Sequence, residues 1–164
     1  GIIIPLVDTT EKISAAVQYA KYPPIGVRSQ GNGQYRALWG DDYRDSANEN
    51  IMMIAMIEAP TGVSIVDQIA AVEGVDVIMV ASTDLGSFSG LRQGDERYES
   101  MVEEVRDVTL GAGLALGGPQ AWRERDGFLF FQGPTDTNLL RIGVQRSLET
   151  LGGGIAAIEG AEEH

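Results

Sequence analysis

Two carboxylates stand at matching places in the chain. Glu58 directly follows the apolar run IMMIAMI, and Asp84 follows the run VDVIMVA through Ser82 and Thr83. Their separation is about one strand-plus-helix repeat. The two acids therefore end successive strands on one rim of a parallel sheet, where α/β folds carry their chemistry. Side by side, two carboxylates repel unless one is protonated or a cation lies between them. An all-oxygen donor set selects a hard ion, Mg²⁺ or else Mn²⁺ or Ca²⁺. Two protein carboxylates also leave coordination positions for water and substrate. The backbone amides around Ser82, Thr83 and Asp84 lie just past a strand end and suit a substrate carboxylate. The same spacing admits a plainer reading, with Glu58 capping the next helix and Asp84 in a turn.

Composition narrows the chemistry further. The chain has 164 residues, 43% of them hydrophobic, enough for one domain with a real core. It has no Cys, which excludes thiolate metal sites, iron–sulfur clusters and thiol nucleophiles. Its one His is His164, so a Ser-His-Asp or Cys-His apparatus is excluded unless the last residue folds back. Twelve basic against 24 acidic residues give a net charge of −12, without a basic stripe for nucleic acid. The opening GIIIPLV is far shorter than the ~20 apolar residues of a membrane span and lacks the basic flank of a signal peptide. Neither a membrane nor a nucleic-acid partner is expected, and the cytoplasm is the expected compartment. A chain that opens on a buried-type strand also reads as the middle of a larger fold.

The elements that must position the acids alternate. Apolar runs at residues 1–7, 51–57, 75–81, 114–116 and 128–132 read as strands buried on both faces. Ile13, Ala16, Val17 and Ala20 share one face of a first helix, with Asp8 as its cap and Glu11 three residues on. A second helix starts at Pro60-Thr61, turns Ile65, Ile69 and Val72 inward, and stops at Gly74. A third spans residues 96–110 with Tyr98, Met101, Val102 and Val105 on one face. A closing helix spans 138–151 through Leu140, Val144, Ser147 and Leu151, and a Gly-rich acidic tail fills 152–164. Residues 21–48, with Tyr22, Tyr35, Trp39 and Tyr43, read as a long ordered loop with a short helix near its end. Within it, Arg28 either binds an anion or locks the loop. Asp8 and Asp136 follow strand-like runs and serve as caps or as support for the site. The remaining acids, such as Asp41, Asp42, Glu103 and Glu104, read as solvated surface.

This order of elements is α/β with a parallel sheet, and two architectures fit it. One is an open, doubly wound sheet of five strands. The other is part of a (β/α)₈ barrel, which normally takes about 250 residues. No glycine-rich phosphate loop precedes the first helix, so a nucleotide reading has little support.

Three stretches together carry a family likeness: PLVDTTEKISAAVQYAKYPPIGVRSQG, IMMIAMIEAPTGVSIVDQIAAVEGVDVIMVASTDLG and FFQGPTDTNLL. In order and spacing they resemble the class II pyruvate aldolases of the HpcH/HpaI family, the macrophomate synthase-like members among them. The resemblance implies a (β/α)₈ barrel of which residues 1–151 hold about the fourth to eighth strands. It implies a carbon–carbon lyase acting on a 2-oxo acid, pyruvate or oxaloacetate, through its enolate with Mg²⁺ or Mn²⁺. The family's metal-ligating pair falls on Glu58 and Asp84. Its substrate-carboxylate amides fall on Ser82, Thr83 and Asp84, and Tyr22 and Pro24 match the walls for a second, flat substrate. Ala81-Ser82 stands where the family usually has Gly-Pro. The family's catalytic Arg and acid/base His precede the matched part, so no catalytic residue is assigned within this chain. A homo-hexamer with the last helix packed on a neighbour is also implied. The other reading is a catalytically incomplete fragment that serves only in assembly or binding.

Overall fold

Alternation along the strands decides which residues face which layer. The computed structural model describes residues 1–150. Five strands, β1 (Ile2–Ile4), β2 (Met53–Ile57), β3 (Val77–Val80), β4 (Ala115–Pro119) and β5 (Phe128–Gln132), form one sheet. Every pair is parallel, and the spatial order is β1-β2-β3-β4-β5. A doubly wound sheet reverses its order at a switch point. Here each strand lies beside its predecessor, as around a barrel wall, so the doubly wound alternative is set aside.

The first 132 residues form one compact unit. In it Met53, Ala55 and Ile57 of β2, Ile78 and Val80 of β3 and Leu116 of β4 belong to the main core. Their strand neighbours Ile54, Val77 and Met79 form a second cluster with Met56, Ala115 and Phe130. Because successive side chains point to opposite faces, the two clusters are the two faces of the sheet. Both are apolar, as the near-continuous strand runs require. The edge strand β1 departs from this expectation: Ile2 and Ile3 are exposed.

The helical layer is built from α1 (Thr10–Ala20), α4 (Pro60–Val63), α5 (Val66–Ala70), α6 (Ser82–Ser89) and α7 (Glu96–Gly111), while α2 (Arg36–Trp39) and α3 (Tyr43–Asn50) lie in the long connection. Ile13, Val17 and Ala20 bury one face of α1, and Tyr98, Val102, Val105 and Thr109 bury one face of α7. The cap of α1 is Thr9, whose hydroxyl accepts from the Lys12 amide. Asp8 instead pairs with the Lys12 ammonium at 2.6 Å, so the expected Asp8 cap is replaced by an i,i+4 ion pair. The helix expected from Pro60 onward is broken into two short pieces at Ser64 and Ile65, where Ile65 has φ −127°.

Strand β4 is longer than its apolar letters suggest, because its glycines are structural. A Cβ on Gly117 would lie 2.9 Å from the Phe130 ring, and one on Gly118 would lie 2.9 Å from the Phe128 ring. The aromatic rings of β5 occupy the space that side chains on β4 would need. The second unit, which starts at Gly133, holds α8 (Asp136–Thr150). None of the residues of α8 is buried, and Leu139, Leu140, Ile142 and Val144 are exposed. Leu151 and the expected tail at 152–164 lie outside the described residues. No helix among the described residues is long and apolar enough to cross a membrane.

Candidate functional site

The β2–β3 register brings the two acids to one rim. Ile57 pairs with Val80, and the Ala81 amide donates to the Ile57 carbonyl at 3.1 Å. Glu58 therefore stands level with Ala81 at the carboxyl ends of adjacent strands, which are spaced about 4.8 Å apart. Asp84 follows three residues later as the third residue of α6. Ser82 and Thr83 are the first two. The leading amides of a helix have no partner within it and carry the positive end of its dipole. Ser82, Thr83 and Asp84 thus present donors on the same rim as Glu58.

The two carboxylates differ in environment. Glu58 is only 8% exposed, and its Oε1 accepts from the Leu6 amide at 3.1 Å. Asp84 is exposed, and among the described residues its carboxylate accepts no side-chain or backbone hydrogen bond. Neither acid is a cap: α4 is capped by Ala59 and α6 by Ala81, both without a side-chain bond. The plainer reading of Glu58 as a helix cap is therefore not what the fold does. Glu58 keeps Oε2 available while Oε1 is held, and Asp84 keeps both oxygens. That hard-oxygen donor set fits a Mg²⁺- or Mn²⁺-type ion with several positions left for water and substrate. Among the described residues no three Asp, Glu, His or Cys side chains gather.

Two further residues build this rim, and neither was picked out as functional from the sequence. Tyr98, fully buried on α7, donates its hydroxyl to the Ser82 carbonyl at 2.9 Å and fixes the start of α6. Burial raises its pKa from 10.0 to about 12, with the Glu99 charge adding and Arg125 opposing. A buried Tyr needs a partner for its hydroxyl, which was the available signal. Leu6, just after β1, takes φ +48°, a conformation that L residues other than Asn and Asp rarely adopt. No sequence signal marks it.

Tyr22 and Pro24 are placed elsewhere. Both follow α1, which descends to the amino ends of the strands. The Tyr22 amide donates to Asn48 Oδ1 at 2.7 Å, and Asn48 Nδ2 donates back to the Tyr22 carbonyl at 3.0 Å. The buried Lys21 ammonium donates to the carbonyls of Asn48 and Ile51. Ile51 leads into β2 seven residues before Glu58, roughly 23 Å along an extended chain. Tyr22 is 2% exposed and has the Arg28 guanidinium over its ring at 4.6 Å, while Pro24 is exposed. Within one chain the fold does not bring this pair to the Glu58–Asp84 rim. Arg28 also donates to the Tyr43 hydroxyl at 3.4 Å, and Tyr43 stacks on Trp39 at 5.0 Å. Arg28 therefore locks the loop, the second of its two expected roles.

Known proteins bear on this geometry in three ways. The model of the HpcH/HpaI aldolase/citrate lyase family matches residues 1–117. A hydroxypyruvate/pyruvate aldolase of Delftia acidovorans is 37% identical over 92% of this chain and 59% of its own length. Among solved structures, an HpcH/HpaI aldolase/citrate lyase family protein from Burkholderia cenocepacia superposes with TM-score 0.74 at 25% identity, over 92% of this chain and 64% of that one. Macrophomate synthase shares the fold with TM-score 0.73 at 24% identity, over 93% of this chain and 58% of its own. The matched part thus spans between 44% and 62% of the length of the curated relatives. Five parallel strands in barrel order, two acids on one rim and a family match over most of the chain agree: it belongs to the HpcH/HpaI aldolase/citrate lyase family.

Proposed function

We propose that this chain carries the metal- and carboxylate-binding half of a carbon–carbon lyase site for 2-oxo acids. The observation that carries the reading is the β2–β3 register, which sets Glu58 after β2 and the start of α6, with Asp84, after β3 on one rim, in a family whose members include named aldolases. Glu58 and Asp84 would hold Mg²⁺ or Mn²⁺. When bound, such an ion supplies a Lewis acid that offsets negative charge developing on the substrate's ketone oxygen. The first amides of α6, at Ser82, Thr83 and Asp84, hold the substrate carboxylate through aligned N–H donors. Tyr98 keeps those amides in place through the Ser82 carbonyl. Aldol cleavage, aldol addition and oxaloacetate decarboxylation share the enolate that this arrangement favours.

Proton transfer is outside this assignment. The one His of the sequence is His164, and the resemblance assigns the family's Arg and acid/base His to none of its residues. The second reading, an assembly or binding role alone, draws on α8. Its exposed Leu139, Leu140, Ile142 and Val144 suit a contact with another copy of the chain, in line with the homo-hexamer that the resemblance implies.

The test is oxaloacetate decarboxylation by the chain with Mg²⁺, compared with Glu58→Gln and with Mg²⁺ alone, because the free ion itself catalyses the reaction. The expected result is activity above both controls. Activity no higher than the free ion would leave this chain with binding or assembly only.

A further inference from the structure

The strained turn after β1 is held by more contacts than its exposure calls for. Leu6 sits at φ +48°, which costs a non-glycine residue on the order of 1 kcal/mol and persists only where the surroundings impose it. Three elements do so. From α1, the Lys12 ammonium donates to the Leu6 carbonyl at 2.6 Å. From β2, the Met56 carbonyl accepts from the Val7 amide at 3.1 Å. From α4, Gly62 approaches so closely that a Cβ there would lie 2.7 Å from the Val7 carbonyl. In this turned conformation the Leu6 amide reaches Glu58 Oε1.

We propose that Lys12 is a positioning residue for Glu58. It grips the Leu6 carbonyl, holds the peptide chain in its left-handed turn, and so aims the Leu6 amide at one carboxylate oxygen. Glu58 is then fixed with Oε2 free toward the cation. The second bond of Lys12, to Asp8 Oδ1 at 2.6 Å, offsets the ammonium charge. The clamp therefore orients Glu58 without adding a net positive charge to a site built for a cation. This inference rests on the reading of Glu58 and Asp84 as metal ligands.

Position and charge predict opposite signs, which makes the test sharp. Removing a nearby cation strengthens divalent-ion binding if only Coulomb attraction matters. Removing the clamp weakens it, by about 10-fold on the scale usual for groups that orient a metal ligand. Mn²⁺ binding is measured by titration calorimetry on the intact chain, its Glu58→Gln variant, Lys12→Met and the double variant Lys12→Met/Leu6→Gly. Lys12 and Asp8 are about 40% exposed, so the fold tolerates the change, and circular dichroism checks it. The expected result is weaker binding in Lys12→Met and partial recovery in the double variant, because glycine adopts the turn without the clamp. Binding in Lys12→Met equal to or tighter than the unaltered chain overturns the role of Lys12, as does weakening that Leu6→Gly fails to relieve. Absence of Mn²⁺ binding by the unaltered chain removes the metal reading itself, and this inference with it.

Discussion

Glu58 meets the requirement that a buried carboxylate find partners for its oxygens by accepting from Leu6 and leaving one oxygen over. Glu58→Gln keeps a carbonyl oxygen for the Leu6 amide but replaces the other carboxylate oxygen with an NH2 group and removes the charge. Calorimetry should therefore show Mn²⁺ binding reduced by more than about 10-fold, while the melting temperature stays near that of the unaltered chain. Tyr98 sets a different expectation. Its hydroxyl adds a bond to the Ser82 carbonyl, so Tyr98→Phe should cost about 0.5–1.5 kcal/mol in urea unfolding. Because the folded-state pKa lies near 12 and the unfolded value near 10, the tyrosine's contribution is complete below pH 10. It is lost as pH rises toward 12, so urea midpoints should fall across that window and stay flatter in Tyr98→Phe. Glu58 and Asp84 were legible in the sequence because one directly follows an apolar run and the other comes three residues after the next such run. The supports were not: a left-handed Leu6 and a lysine on a carbonyl depend on how three elements meet, which no local pattern encodes.

Elements were readable where burial imposes a period and unreadable where backbone shape decides. Helix α7 lies within a residue of its expected span, because Tyr98, Val102 and Val105 repeat at helical spacing. Helix α6 has no mark in the sequence: STDLGSFS contains few strong helix formers, and packing rather than propensity holds it. Strand β4 was seen only in its apolar first half, since Gly117 and Gly118 have no hydrophobic signature. Their role makes a prediction: Gly118→Ala should cost about 1–3 kcal/mol in thermal or urea unfolding, because the Phe128 and Trp122 rings must shift. A second concerns the tie between α7 and the stretch before β5. Arg125 bonds Glu99 at 2.7 Å and lies 4.2 Å over the Trp122 ring. The Arg125 hydrogen bond holds the Glu99 carboxyl below its usual 4.5, against the opposing effect of burial and with help from the Gly94 amide. The pair's stabilisation is therefore complete above pH 4.5 and disappears as pH falls through the lowered value. Acid unfolding of Arg125→Met should begin at higher pH than that of the unaltered chain.

For the molecule as a whole, the choice between architectures turned on strand order, which the letters do not contain. Runs of buried-strand type are equally compatible with a sheet that reverses and one that continues, and only the pairing of each strand with its predecessor separates them. The closing helix was expected through Leu140 and Val144, and both are exposed in α8. If that face meets another copy, Leu140→Asp with Val144→Asp should shift the chain to smaller species in analytical ultracentrifugation and leave Mn²⁺ binding unchanged. One more consequence follows from the knot of bonds that joins Lys21 and Tyr22 to Asn48 and Ile51. It shuts the 21–48 excursion at its base, so the sheet senses the closure and hardly the length of what is enclosed, because loop entropy grows only logarithmically with added residues. The stretch between Ser29 and Asp42 is thereby a cassette: a lineage, or an engineer, can swap its contents and alter what the amino-end face displays while the Glu58–Asp84 rim stays untouched.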